Sequence, residues 1–202
     1  MGVITLQMRG IFLKKRKIWM VILPLILFGL LALTVKAGLS AGLEDWFYSE
    51  AVEDMSPLWT AVVKTVTHLG DTPAVVVICL SLFVLPHTRR TIALPVSAAV
   101  ILSTVLNLLL KELFARQRPD ILRLINETSY SFPSGHAMIN GTLYVMFIFL
   151  TFRFIQNKVK RNLLAGGCLF MMIAIGYSRV YLVVHYAGDI LGGWLLGFAV
   201  AT

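Results

Sequence analysis

Long apolar runs separated by short polar breaks organise this chain. Runs at 17–36, 72–86, 91–110, 137–155, 163–178 and 186–202 approach or reach the roughly 20 residues that a helix needs to cross a bilayer. They predict an all-α, polytopic membrane protein of six transmembrane helices in one bundle, with 1–202 forming a single domain. The first run follows Lys14-Lys15-Arg16-Lys17 and lacks a small-residue cleavage site, so a retained anchor is expected and not a cleaved signal peptide. Between runs one and two, Leu43, Trp46, Phe47 and Val52 alternate with Glu44, Asp45, Glu50, Glu53 and Asp54. That pattern predicts an amphipathic helix lying at the membrane surface. Ser56-Pro57 then starts another helix, with Ser as N-cap and Pro in the first turn, and Leu58, Val62, Val66 and Leu69 follow at helical spacing. The 38–70 segment reads as a surface-packed connector, or as a lid or side wall that guides a lipid.

Composition narrows the class. Of 202 residues, 58% are hydrophobic and only 14% charged, and the mean hydropathy is +0.82. A soluble domain of this length carries more charge. Cys79 and Cys168 both sit inside apolar runs and read as small buried hydrophobes, not as a disulfide or a metal site. The net charge of +8 does not point to nucleic acid, because the cations cluster at the ends of apolar runs. With the N-terminus inside, the inner side receives Arg9, Lys14, Lys15, Arg16, Lys17, Arg89, Arg90, Arg153, Lys158, Lys160 and Arg161 of the 18 cations. The outer side receives all ten acids: Glu44, Asp45, Glu50, Glu53, Asp54, Asp71, Glu112, Asp120, Glu127 and Asp189. The positive-inside rule therefore predicts cytoplasmic termini. It also gathers three polar segments on the outer side.

Those segments carry the candidate chemistry. The first holds Lys111 and Arg118, two helical turns apart, with Pro119 stopping the helix. A guanidinium binds phosphate oxygens bidentately and keeps its charge; alone, the segment reads equally as a lysine reaching the interface beside a basic loop. The second is Pro133-Ser134-Gly135-His136 at the start of the fourth run. Alone it is a helix cap, but free N–H groups and a positive dipole end suit an anion, and His136 is placed to give or take a proton. In the third, Ser178-Arg179 precede His185 and Asp189, whose i, i+4 spacing makes them neighbours on a helix. A carboxylate on one ring nitrogen fixes the tautomer and leaves the other nitrogen to attack, or the two simply satisfy each other as a structural pair. His68 and His87 lie outside these segments and read as interfacial. Glu112 and Asp120 flank the first as tuning or solvated groups. Gly193 and Gly197 form a G-x-x-x-G read as close packing within the bundle.

Together the segments read K-x6-R-P, P-S-G-H and S-R-x5-H-x3-D. This closely resembles the type 2 phosphatidic acid phosphatase superfamily, and the chain's size and short outer segment look most like its compact bacterial phosphatidylglycerophosphatase B type. The resemblance implies that Lys111, Arg118 and Arg179, with Ser134 and the Gly135 N–H, bind phosphate. It implies that His185 is the nucleophile forming a phosphohistidine, that Asp189 orients it, and that His136 serves the leaving oxygen and then water. The implied activity is hydrolysis of the terminal phosphate of phosphatidylglycerol phosphate and related lipid phosphates, without metal or other cofactor. Undecaprenyl pyrophosphate is the alternative substrate. The implied setting is the bacterial cell membrane with an extracytoplasmic site, a substrate drawn from the bilayer and a monomer, or else a homodimer. A sugar phosphatase, a vanadium haloperoxidase, a transporter and a phosphate-lipid-binding pseudoenzyme fit less well. The chain shows no internal repeat, and each signature histidine and the aspartate is in place.

Overall fold

A computed structural model describes residues 2–42, 44, 46, 49–50, 55–119 and 123–202, with residues 2–17 as backbone only. Among these the chain is all helix, with no strand. Helix α1 spans Gly2–Lys36 and stops in a Schellman turn. The Leu39 N–H bonds Thr34 O at 3.0 Å, the Gly38 N–H bonds Val35 O at 3.1 Å, and Gly38 takes φ +69°, a conformation that suits glycine. Helix α2, Pro57–His68, is capped as the sequence predicts: Ser56 Oγ accepts the Trp59 N–H at 3.3 Å and proline occupies the first turn. Helix α3, Thr72–Ser81, follows after an elbow that bends the pair by 47°.

A 3-10 turn, Pro86–Thr88, and a π-helical turn, Arg89–Ala93, lead into α4, Leu94–Phe114. Then come α5, Gly135–Phe154, α6, Lys158–Tyr181, and α7, Ala187–Ala201. Helix α5 packs against α4, α6 and α7. Val75, Cys79, Val96, Val100 and Leu143 join α3, α4 and α5, so Cys79 is indeed a buried apolar filler. Phe28 and Ala32 of α1 meet Met138, Leu196 and Phe132, and the Phe28 and Phe132 rings stack with centroids 5.5 Å apart. Val63 of α2 packs on Tyr181, Leu182 and Val184 beyond the end of α6. The outer faces are apolar too: Leu30, Leu33, Leu109, Leu113 and Phe170 are exposed. A helix apolar on every side belongs in a core or a membrane.

Among the described residues, four helices are long and apolar enough to cross a membrane: Ile18–Lys36, Pro86–Phe114, Gly135–Phe154 and Lys158–Tyr181. The bent pair α2–α3 makes up to five, and Ala187–Ala201 is a shorter apolar helix. The sequence pattern expects six, and the two short elements account for the difference. Helix α3 has 10 residues, about 15 Å of helix, and the expected 72–86 run breaks into turns after Ser81. The expected 91–110 helix runs on to Phe114, which carries Lys111 inside the helix. The expected 163–178 helix gains a turn at each end, capped by Asn157, whose side chain accepts the Lys160 N–H at 3.0 Å. The amphipathic helix expected around Leu43–Asp54 falls largely outside the described residues.

Candidate active site

The end of α4, the start of α5, the end of α6 and the start of α7 lie together at one end of the bundle, and the three polar segments meet there. Ala115 adopts φ +44° and turns the chain off α4, so that residues 116–118 cross the bundle end. Val183, fully buried, takes φ +56°. That conformation strains a β-branched residue by roughly 1–3 kcal/mol, and it turns the chain out of α6 to present His185.

A cavity of about 440 Å³ forms at this point. Lys111, Arg118, Gly135, His136, Arg179 and His185 line one part of it, and Val75, Val76, Val100, Ile101, Val105 and Leu108 line another. Lys111 donates to Tyr130 O and to Ser129 Oγ at 3.3 Å. Arg118 Nε donates to Ser129 O at 2.6 Å, and its Nη1 donates to Val184 O at 2.8 Å. Arg179 donates to Thr67 Oγ1 at 3.0 Å and to Glu127 Oε1. The other oxygen of Glu127 lies 3.6 Å from Arg118 Nη2, so one carboxylate bridges two guanidinium groups. Among the described residues, Arg179 Nε is buried without a hydrogen-bond partner, and a buried donor of that kind suits an anion's oxygen.

Arg118 Nη1 lies 3.1 Å from His185 Nε2. An arginine N–H can only donate, so Nε2 accepts and the ring proton sits on Nδ1. His185 Nδ1 lies 3.3 Å from Asp189 Oδ2, which accepts the Nδ1–H hydrogen bond. Burial pushes the His185 imidazole down to about 3; the Asp189 carboxylate pulls the other way, and Arg118 and Lys111 add to the lowering. His185 is therefore neutral at physiological pH, with its Nε2 lone pair turned toward the cations.

Asp189 is fully buried and collects donors on both oxygens. Arg116 Nη1 donates to Oδ1 at 2.6 Å. Ser131 Oγ donates to Oδ2, and the Tyr186 backbone N–H donates to Oδ2 at 2.9 Å. Arg116 reaches onward to Glu44 Oε2 at 2.6 Å and stacks over the Tyr186 ring at 4.0 Å. Ser134 lies behind the cavity wall. Its hydroxyl caps α5 by accepting the Ala137 N–H, and its N–H donates to Asp189 O at 3.0 Å. Gly135 is needed for a close approach, since a Cβ there would stand 3.0 Å from Asn107 Oδ1. His136 Nε2 lies 2.8 Å from Asp71 Oδ1.

Every residue read from the sequence as catalytic or phosphate-binding lies at this site, with Ser134 and Asp189 just behind the cavity; His87 lies in the turn before α4, and Asp120 lies outside the described residues. The reading missed Arg116, Glu44, Glu127, Ser131 and Asp71 as partners. Arg116 carried a signal, two residues before Arg118 in the same segment. Glu112 is exposed, as expected for a solvated flank. His68 is exposed and pairs with Asp71 at 2.8 Å, so it is attached to the site and not merely interfacial.

The PAP2 superfamily model matches residues 92–202, the stretch that holds all three polar segments. The chain belongs to the PAP2 superfamily. Phosphatidylglycerophosphatase B of Bacillus subtilis is 30% identical over 84% of this chain and 85% of its own length. An undecaprenyl-diphosphatase of Sulfolobus acidocaldarius is 31% identical over 57% of this chain and 54% of its own. The crystal structure of a transmembrane PAP2-type phosphatidylglycerolphosphate phosphatase from Bacillus subtilis superposes with a TM-score of 0.80 at 28% identity, covering 91% of this chain and 92% of that one. The all-helical fold is that of a PAP2 membrane protein.

Proposed function

We propose that this protein is an integral membrane lipid phosphatase that hydrolyses the terminal phosphate of phosphatidylglycerol phosphate and related lipid phosphates through a phosphohistidine. The observation that carries this reading is a cavity with cations and a neutral histidine in one part and aliphatic side chains from α3 and α4 in another. A charged head group and a hydrocarbon tail each find their own surface there. Lys111, Arg118 and Arg179 hold the phosphate, the two arginines sharing their N–H groups with Glu127, and Gly135 adds a backbone donor while Ser134 holds the loop. His185 Nε2 attacks phosphorus as the ester P–O bond breaks, and His136 protonates the departing oxygen. Water, losing a proton to His136, then attacks phosphorus, the P–N bond breaks, and inorganic phosphate leaves. Asp189 orients His185 and balances the positive charge that the ring acquires. Three protein cations stabilise the charge on the equatorial oxygens, work that metal ions do in many other phosphoryl transfer enzymes.

The charge distribution supports six spans with both termini cytoplasmic and the site on the outer face of a bacterial membrane; α3 with its flanking turns supplies the second span and α7 the sixth. We read the protein as a monomer, with a homodimer as the alternative. Undecaprenyl pyrophosphate is the second reading, favoured by the identity to the archaeal diphosphatase over 121 residues. Purified protein in detergent with EDTA is expected to release phosphate from phosphatidylglycerol phosphate, phosphatidic acid and undecaprenyl pyrophosphate, fastest from the first. Sealed right-side-out vesicles are expected to hydrolyse the impermeant p-nitrophenyl phosphate without detergent. Preference for glucose 6-phosphate, loss of activity with chelator, or vesicle activity only after permeabilisation would each contradict the corresponding part of this reading.

A further inference from the structure

The elbow between α2 and α3 contributes three contacts to the site, although it lies far from the polar segments in sequence. Thr67 Oγ1 accepts from Arg179 at 3.0 Å, Gly70 O accepts from Asn140 Nδ2 at 3.0 Å, and Asp71 meets His136. A Cβ on Gly70 would stand 3.0 Å from the His136 ring and 2.6 Å from Ile175, so the elbow is packed against the ring's edge. Asp71 stands at the N-cap of α3, where an aspartate ordinarily bonds the first helical N–H groups. It makes no side-chain cap hydrogen bond here. Its Oδ1 faces His136 Nε2 at 2.8 Å and its Oδ2 faces His68 Nδ1 at 2.8 Å. Both oxygens serve imidazoles, not the helix.

We infer that Asp71 is the positioning residue for His136, so that the phosphate cavity is flanked by two histidine–carboxylate pairs: His185 with Asp189, and His136 with Asp71. This rests on the phosphatase reading. A carboxylate at 2.8 Å from Nε2 holds the proton on that nitrogen and turns Nδ1 away from the elbow, the ring itself lining the cavity. When Nδ1 is also protonated, the Asp71 charge balances the imidazolium; Nδ1–H then gives its proton to the leaving oxygen and later takes one from water. His68, exposed at the surface, holds the second oxygen and fixes the carboxylate plane. The pair at His185 makes a nucleophile and the pair at His136 makes an acid. Each ring has a carboxylate partner, but Arg118 also faces Nε2 of His185 at 3.1 Å and keeps that nitrogen an unprotonated acceptor, whereas the Nε2 of His136 faces only the carboxylate of Asp71 among the described residues.

The test separates leaving groups that need a proton from one that does not. Dioleoyl phosphatidic acid must expel an alkoxide and p-nitrophenyl phosphate a stable phenolate, and kcat/KM reads only the steps up to that departure. Asp71→Asn is expected to lose about 10²-fold in kcat/KM on the lipid and less than about 5-fold on the aryl ester, within the range of general acid catalysis. Asp71→Glu is expected to recover part of the loss on the lipid. Asp71→Ser, which removes the charge but keeps a good N-cap residue, serves if the Asn variant does not fold. An even loss on both substrates, or no loss on either, overturns the inference while the wild-type activity leaves the phosphatase reading standing. Wild-type protein that hydrolyses neither substrate overturns both.

Discussion

Asp189 is balanced on both sides, and that balance explains why a carboxylate can sit at 0% exposure beside a neutral imidazole. Arg116 cancels its charge from one oxygen while Ser131 and the Tyr186 N–H hold the other. Arg116 in turn is shared with Glu44, which ties the segment after α1 to the partner of His185. Removing one member of a buried ion pair leaves the others uncompensated, at a cost of about 3–5 kcal/mol. Arg116→Met should therefore lower thermal stability in detergent markedly and reduce kcat, with Arg116→Lys intermediate. Wild-type stability and turnover in the Met variant would show that the Glu44–Arg116–Asp189 chain is dispensable. The signature residues were legible in the sequence because ionisable groups in an apolar chain invite a chemical explanation. Their partners were not. Arg116 meets Asp189 across 73 positions and Asp71 meets His136 across 65, and no local spacing encodes such pairs.

Helix packing sets how tightly this site is held. Gly193 and Gly197 on α7 lie against α5, and a Cβ on Gly197 would stand 2.6 Å from Met138 O and 2.9 Å from Thr142 N. Both obstacles are backbone and cannot step aside. Thr142 Oγ1 lies between Met138 O, Ser103 Oγ and Gly197 O, which locks α4, α5 and α7 together. The G-x-x-x-G pattern thus serves contact within the bundle, as its sequence reading favoured. Gly197→Leu should force α5 and α7 apart, destabilising the fold by about 1–3 kcal/mol or more, visible as a lower unfolding temperature in detergent; an unchanged midpoint would refute the close contact. Periodicity and caps located α2 and α5 well. They could not reveal the 47° bend of the elbow or the π-helical turn before α4, since an apolar period encodes neither an interhelix angle nor a change of helix type.

Across the whole molecule, the groups of the candidate site gather at one end. The apolar flanks face outward, the cations and histidines meet at the ends of α4, α5, α6 and α7, and the α2–α3 elbow closes one side. The described part of the 38–70 segment thereby touches the site through Glu44, Thr67 and Gly70. Fold class and site composition follow from patterns that every helix repeats; the cavity's closure depends on contacts between distant segments. The central claim is that His185 carries the phosphoryl group. Brief incubation of the purified protein with 32P-labelled lipid phosphate, followed by alkaline quenching and peptide mapping, should yield an acid-labile, alkali-stable phosphate on His185, absent from His185→Ala. Rapid turnover by the wild-type protein with no label on His185, or near-normal turnover by His185→Ala, would contradict the account.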